Sequence, residues 1–486
     1  MALDLDQRRR FTLAATIIGS SLAFIDATVV IVALPTIEED LGLGLSGQQW
    51  VFLAYSLALA ALYLPGGAIG DKYGRRRVFI AGAAAFALAS LLAGAAPNEE
   101  VLLLARALQG IAGAFLTTNS LALLRATYGD QAGRAVGLWT AFTSVATIAG
   151  PPAGGALVEW ASWRWIFLIN LPLAGLAVIA AHLGRGEEER AMLRTGRLDI
   201  PGAVLVALGL GTLTYGLVEG ADRGFGEVWW SLVVSALALV AFVVVERRTA
   251  QPMLPFEIFR RRNFAAANVE TFLVYGSLYG VFVYLTIYIQ ALGFTPFEAG
   301  LIQIPTSIVM ILLAARFGAL ADRIGPRLLL TVGPALVGLG TLLYLPITER
   351  SDFWTWGIAG LLVFAVGLAA LVAPITATAL KAAPMEFAGI ASAVNNTVSR
   401  TGSLTSVALI GLVIQRVYES QGGTGTPLEL GTESSATVDA FRAGMVVSAA
   451  LAFAGAIVGA AWISNREARG DEISEPEPEP ATAAGS

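Results

Sequence analysis

Four ionisable residues stand in stretches of this chain that are otherwise apolar. Asp26 lies about fifteen residues into a run that opens at Phe11, Arg106 lies in a later run, and Glu270 and Arg400 lie in two more. A charge at the centre of a hydrocarbon layer costs at least about 2.5–3.5 kcal/mol, so each must face a cavity, meet a partner or be neutral. A carboxyl reached in turn from either side of such a layer takes a proton on one side and releases it on the other. Asp26 is therefore the candidate proton-coupling group, and Arg106, if near it, sets its hold on the proton. A structural hydrogen bond for Asp26 and a structural interhelical ion pair for Arg106 are the alternatives. Glu270 can attract a cation, carry a second proton or pair with Arg400 or with Arg316, which stands near the inner end of run ten and can instead snorkel to the interface. Asn395, Asn396 and Gln303 add polar atoms at similar depth and complete the set of cavity candidates.

The elements that would hold these residues follow from composition. Of 486 residues, 56% are hydrophobic and 14% charged, with a mean hydropathy of +0.69. A soluble domain carries about 25% charged residues, so this chain reads as a polytopic all-α membrane protein. Apolar runs of spanning length fall at 11–34, 49–69, 77–96, 100–123, 135–158, 164–184, 199–219 and 228–246. Six more follow at 264–291, 297–320, 328–347, 354–380, 388–416 and 441–463, fourteen in all. Each is near the roughly 20 residues a bilayer requires. With the amino terminus placed in the cytoplasm, 23 of the 31 Lys and Arg fall in cytoplasmic segments and 5 in outer ones. That bias predicts an even number of spans with both termini cytoplasmic.

A repeat organises the fourteen. Gly67-Ala-Ile-Gly-Asp71-Lys72-Tyr-Gly74-Arg75-Arg76 recurs in kind as Gly318-Ala-Leu-Ala-Asp322-Arg323-Ile-Gly325-Pro-Arg327, offset by 251 residues. A constant offset marks an internal repeat. The first copy follows run two and the second follows run ten. The chain therefore divides into a six-helix half at 1–184, an inserted pair at 185–263, a second six-helix half at 264–466 and an acidic, Pro-rich tail at 467–486 expected to be disordered. In the loops, Gly67 and Gly74 permit a tight turn. Asp71 can meet an Arg or a helix amino end, and Arg75–Arg77 can anchor at anionic headgroups, with Asp322 and Arg323 the matching gating candidates of the second copy. Such a cluster can lock one conformation; the plainer reading is that it only obeys the positive-inside bias. In run five, Gly150-Pro151 and Gly154-Gly155 strip side chains from one face and weaken the helix at a defined point. That suits a contact between two rocking halves, or else ordinary small-residue packing.

These motifs together resemble the major facilitator superfamily. Gly67-x-Ile-x-Asp71-Lys72-x-Gly74-Arg75-Arg76 is similar to its loop signature. Ala146-Thr-Ile-Ala-Gly150-Pro151-Pro-Ala-Gly154-Gly155 resembles the antiporter motif of its drug:proton exporters, with Ala146 where a Gly is usual. Asp26-Ala-Thr-Val-Val-Ile31-Val-Ala-Leu-Pro35 resembles the first-helix signature of the fourteen-helix drug:proton antiporter branch, with Ile31 where Asn is common. Leu104-Ala-Arg106-Ala-Leu-Gln109-Gly110 and Trp163-Arg-Trp-Ile-Phe-Leu-Ile-Asn170-x-Pro172 resemble the fourth-helix motif and the start of helix six. The resemblance implies the major facilitator fold, with a monomer exporting amphipathic or cationic small molecules against proton entry across the cell membrane by alternating access.

What is missing narrows the field. There is no Cys and one His, His182, so thiolate and His-cluster metal sites are excluded. No phosphate-binding loop, dinucleotide fingerprint, nucleic-acid signature or catalytic constellation is found, so no cofactor, no nucleic-acid partner and no enzymatic role is expected. Export of an endogenous lipid, siderophore or metabolite by the same machinery remains a rival, as does a membrane sensor or scaffold that transports nothing. The latter has no use for Asp26 and Glu270 in apolar surroundings.

Overall fold

A backbone that crosses a bilayer must satisfy every N–H and C=O within its own segment, which leaves the helix as the solution for runs of this length. A computed structural model of the chain describes residues 4–129, 132–185, 199–249, 254–384, 388–428 and 435–465, and the described secondary structure is helical throughout. The acidic tail and the stretch at 186–198 lie outside the described residues. The first half comprises α1 (Leu5–Leu41), α2 (Gly44–Tyr73), α3 (Arg75–Gly94), α4 (Glu99–Tyr128), α5 (Ala132–Trp160) and α6 (Trp165–Leu183). A pair, α7 (Ile200–Asp222) and α8 (Phe225–Arg248), follows. The second half comprises α9 (Arg262–Ala291), α10 (Pro296–Ile324), α11 (Arg327–Leu342), α12 (Arg350–Ala382), α13 (Ala388–Ser420) and α14 (Ser435–Trp462).

Thirteen of these helices are long and apolar enough to cross a membrane, and the 16-residue α11 is the shorter fourteenth. Past Leu342 its chain continues in turns, with the Ile347 amide donating to the Tyr344 carbonyl at 3.1 Å. Several helices outrun their apolar cores. α1 extends to 37 residues because its ends are polar and capped, Asp4 accepting from the Gln7 amide at 2.7 Å in a capping box. α6 and α10 are each interrupted, near Ile169 and near Ile302–Gln303. The two repeat loops turn on glycines in the left-handed region, Gly74 at φ +99° and Gly325 at φ +90°, where a Cβ would be strained.

We call the end that carries Asp4 and Trp462 the terminal end, and the other the far end. The six helices of each half pack chiefly on one another. Between the halves, α5 meets α10, α2 meets α13, and α1 meets α9. The inserted pair packs as a hairpin, and α7 lies against both α2 and α13. At its far end the Trp50 indole donates to Glu219 at 2.9 Å, Arg223 pairs with the same carboxylate at 2.8 Å, and Arg416 donates to the Gly220 carbonyl at 3.0 Å. The insert thus touches both halves at one seam.

Candidate proton site and the contact between the halves

Asp26 and Arg106 are both fully buried, and the structure brings them together. Arg106 Nη1 lies 2.5 Å from Asp26 Oδ2, while its Nε donates to the Val51 carbonyl at 2.9 Å. Gln109 Nε2 donates to Asp26 Oδ1 at 3.1 Å and to Ser90 Oγ at 2.8 Å. Asn170 Nδ2 reaches the same two oxygens at 3.2 and 3.3 Å. The guanidinium also sits over the Tyr55 ring at 4.6 Å and the Phe167 ring at 5.6 Å. Desolvating two charges is expensive, and a pair persists in such a place only when further hydrogen bonds satisfy the atoms left over. Here α1, α2, α3, α4 and α6 all contribute. One donor, Arg106 Nη2, is without a hydrogen-bond partner.

Packing explains how a charge pair fits among apolar helices. A Cβ on Gly110 would lie 2.8 Å from Ala58 Cβ and would meet the Tyr55 carbonyl, so α4 approaches α2 closely enough for Arg106 to reach Val51. Counting along α1 suggests mid-membrane for Asp26, but the α4 side revises this. Arg106 is seven residues past Glu99 (106 − 99), so the network lies only about 10 Å from the far end of α4.

Tyr55 carries the site toward the other half. Its hydroxyl donates to the Ala23 carbonyl at 3.0 Å, and it lies in electrostatic range of Arg400, as do Tyr63, Tyr275 and Tyr279. Arg400 Nη1 itself donates to the Tyr279 hydroxyl at 3.3 Å. The remaining cavity candidates are dispersed. Asn395 is buried and donates to Thr271 Oγ1 at 3.0 Å, Asn396 is exposed and bonded to its own helix, and Gln303 donates to Thr286 Oγ1 at 3.2 Å. Glu270 is not beside Arg400. It is fully buried, close to Gly455 of α14, and neither carboxylate oxygen has a hydrogen-bond partner.

The glycines of α5 divide by face. A Cβ on Gly155 would meet the Pro296 carbonyl oxygen and lie 2.7 Å from Phe297 Cα, backbone of α10 in the other half. Gly300 answers it, since its Cβ would meet the Pro151 carbonyl oxygen and lie 2.9 Å from Pro152 Cα. Gly154 and Gly150 face α1 instead, against Val29 and Thr28. Gly154 therefore packs inside its own half, because neighbouring helical residues point about 100° apart. Other bonds across the same end are Phe297 N to Glu159 at 3.1 Å and Gln290 Nε2 to the Val32 carbonyl at 3.2 Å, with Trp160 against Phe297 at 4.9 Å. The far end is closed.

The loop repeat holds the opposite end of each half. Asp71 pairs with Arg75 at 2.8 Å, and Arg75 Nη1 donates to the Ala122 carbonyl at 3.2 Å. Asp322 pairs with Lys381 at 2.7 Å, while Gly67 is open to space and Arg323 is exposed. Arg76 differs from the lipid anchor that its run of charges suggests. It is 4% exposed and donates to the Ala181 carbonyl at the end of α6 at 2.7 Å and to Thr12 Oγ1 at 3.1 Å. Its repeat mate Arg327 donates to the Ala460 carbonyl at the end of α14 at 2.8 Å. Each arginine caps the last helix of its half, where unsatisfied carbonyls and the negative end of the helix dipole favour a cation. Arg76→Ala is expected to lower stability by about 1–3 kcal/mol, because it strands buried acceptors, while Arg75→Ala changes it by less than about 1 kcal/mol. Thermal melts of the two purified variants check the order.

Of the residues that build the site, Gln109 and Asn170 stand inside quoted motifs without an assigned role. Ser90, Tyr55 and Gly300 carry no sequence signal beyond a polar, aromatic or small side chain in an apolar run.

The chain is 34% identical over 415 residues to the multidrug resistance protein Stp of Mycobacterium tuberculosis, covering 84% of this chain and 76% of that one. It is 37% identical over 466 residues to the puromycin resistance protein pur8 of Streptomyces alboniger, covering 92% and 89%. Its fold is similar to the crystal structure of a bacterial homologue of the human lysosomal transporter Spinster, in an inward-facing and unoccupied conformation. That match has a TM-score of 0.67 at 16% identity and covers 97% of this chain and 99% of the other. The family model of the Major Facilitator Superfamily matches residues 16–407, and with its many apolar helices this chain is a multi-pass membrane protein belonging to that superfamily.

Proposed function

We propose that the protein exports amphipathic and cationic small molecules from the cell, driven by proton entry, as a monomer in the cell membrane with both termini cytoplasmic. The observation that carries the reading is the Asp26–Arg106 pair, a titratable carboxylate sealed at 0% exposure beside the Tyr55 ring of α2. A proton on Asp26 replaces Arg106 as the carboxylate's partner and frees the guanidinium, which already has one unused donor. That change is felt at α2 through Val51 and Tyr55, and α2 lies on the seam between the halves.

With the amino terminus inside, the closed far end is the outer one, and the proton of Asp26 is to be released toward the cytoplasm. Rocking of 1–184 against 264–466 closes that route and opens the other, with cargo held between the halves. Gly67, Asp71, Gly74, Arg75 and Arg76, with Asp322 and Arg323, brace the cytoplasmic ends through the cycle. Pro151 and Gly155, with Gly300 of α10, shape the outer contact, while Gly150 and Gly154 seat α5 on α1 within the first half. Gln303, Asn395, Asn396 and Arg400 are the residues proposed to face cargo. The names of the two relatives, one for multidrug and one for puromycin resistance, favour drug-like cargo over a lipid or metabolite.

The test is reconstitution into vesicles with an imposed pH gradient and a panel of cationic and neutral dyes. Dye movement is expected with the gradient and is expected to stop when an ionophore collapses it. Equal movement with and without the gradient sinks the proposal. Orientation is tested on the naturally Cys-free chain. Single cysteines at Gly422 and Arg350 should react with an impermeant maleimide added to intact cells, and one at Lys72 should not. Labelling at Lys72 reverses the assigned topology.

A further inference from the structure

Glu270 is a second buried acid for which the Asp26 network has no use. It stands on α9, eight residues past Arg262 (270 − 262), or about 12 Å from the terminal end of that helix. It is 0% exposed, and both carboxyl oxygens lack a hydrogen-bond partner. Its Cγ lies 3.8 Å from where a Cβ on Gly455 would stand, and the same Gly455 packs against Val274 of α9 and Pro334 of α11. α11 and α14 pack on helices of their own half, whereas α9, α10 and α13 reach across to the other. Glu270 therefore points into the back of the second half, away from the surface that meets the first.

Among the described residues no charged group on the surrounding elements answers it, and Arg262 of α9 itself donates to the Trp462 and Ala461 carbonyls. On α14, Arg442 donates to the Leu345 carbonyl and faces Asp439, both toward the far end. On α11, Arg327 is committed to Ala460. On α13, Arg400 turns to Tyr279, and Arg416 and Glu419 lie together at the far end. On α12, Arg350 and Lys381 are paired with Glu298 and Asp322, while Asp352 accepts from Thr348. On α10, Arg316 and Arg323 are exposed, on α1 Asp26 is held by Arg106, and Glu257 and Arg260 of the short turn before α9 are exposed. The nearby polar residues of α9, Asn268 and Thr271, face Asn395 instead.

An ionised carboxylate in such a place carries a desolvation penalty of several kcal/mol with nothing to offset it. A cation held between the halves would have to pass through α9 to reach it. We propose that Glu270 is a second proton-binding site of the transporter, remote from the Asp26–Arg106 pair, and that it holds a proton in the conformation seen here. The proposal rests on the proton-driven reading above. The carboxylate accepts one proton from water to become the neutral acid. It returns that proton when the packing of α9 on α14 loosens enough to admit water. Ser277, a further two turns along the same face, is likewise buried with an unpartnered hydroxyl and extends the polar track along α9.

Dicyclohexylcarbodiimide reacts with protonated carboxyls in apolar surroundings, so mass spectrometry of the treated full-length protein reports Glu270 without any transport measurement. An adduct at Glu270 is expected, falling as pH is raised, with none at the ion-paired Asp26. In vesicles, Glu270→Gln is expected to export ethidium with fewer protons exchanged per dye than the wild-type protein, and with a flatter pH profile. Absence of the adduct at every pH, with wild-type proton exchange intact, overturns the role of Glu270 alone. So does an adduct accompanied by a Glu270→Gln protein whose proton ratio and pH profile match the wild type, since a merely structural acid gives that result. A wild-type protein that moves ethidium without protons instead overturns the proton-driven reading itself. Where Glu270→Gln fails to fold, Glu270→Asp, which keeps the proton site, supplies the comparison and should keep the wild-type ratio.

Discussion

Asp26→Asn is expected to reduce pH-driven export to background. Asn keeps the shape of the carboxylate and can still accept from Gln109 or Asn170, but it cannot release a proton, and it leaves Arg106 as an uncompensated buried cation. Breaking a buried pair from one side costs about 3–5 kcal/mol, so the variant should also melt earlier. Loss of function through instability is separated from loss of coupling by the double variant Asp26→Asn/Arg106→Gln. Removing both charges relieves the stranded cation, so the double variant should recover much of the melting temperature while gradient-driven export stays absent. Counterflow exchange of dye without a gradient is the second readout, and it should survive better than driven export in the double variant. Full driven export by a well-folded Asp26→Asn protein would remove Asp26 from the mechanism.

Gly155→Val should block turnover at the outer contact. The side chain would be built into the Pro296 carbonyl and the Phe297 backbone, and backbone cannot swing aside as a long side chain can. Overpacking of this kind costs about 1–3 kcal/mol. The closed state there is the one that loses it, so the balance between closed and open far ends should move by roughly ten- to a hundredfold. Gly300→Val is expected to do the same from the other half, because it meets Pro151 and Pro152. Gly154→Val presses on Val29 inside the first half and should lower the melting temperature without shifting that balance. A cysteine pair bridging α5 and α10 at their far ends reads the difference, since cross-linking should fall in the Gly155 and Gly300 variants and persist in the Gly154 variant. If Gly155→Val transports and cross-links normally, α5 and α10 do not form a moving contact.

Much of the architecture is legible in the linear chain, and the reason is physical. Helical spans of about the right length follow from long apolar runs, since a bilayer admits few other structures. Fourteen runs became fourteen helices, including α11, which falls short of spanning length by itself. The repeat of Gly74 and Gly325 is visible because positive φ selects glycine at both turns. Asp26 and Arg106 are conspicuous because charge is rare in such surroundings.

What each of these residues touches depended on the tertiary structure. A helix that is apolar on every side has no stripe to show which face turns inward, so rotation about its axis is not written in the pattern. Gly154 and Gly155 are adjacent in sequence, yet one packs within its half and the other across to Pro296. Arg75 and Arg76 are adjacent too, yet one closes on Asp71 and the other is buried as the cap of α6. Ser90 and Asn170, 80 residues apart, meet each other, with Asn170 also reaching the carboxylate of Asp26, only because α3 and α6 are brought to the same depth. Glu270 shows the same limit from the other side. Composition marks it as costly, and only the packing of α9 on α14 leaves it without a charge to answer it, because interhelical neighbours are fixed by close packing of small residues such as Gly455 rather than by hydropathy.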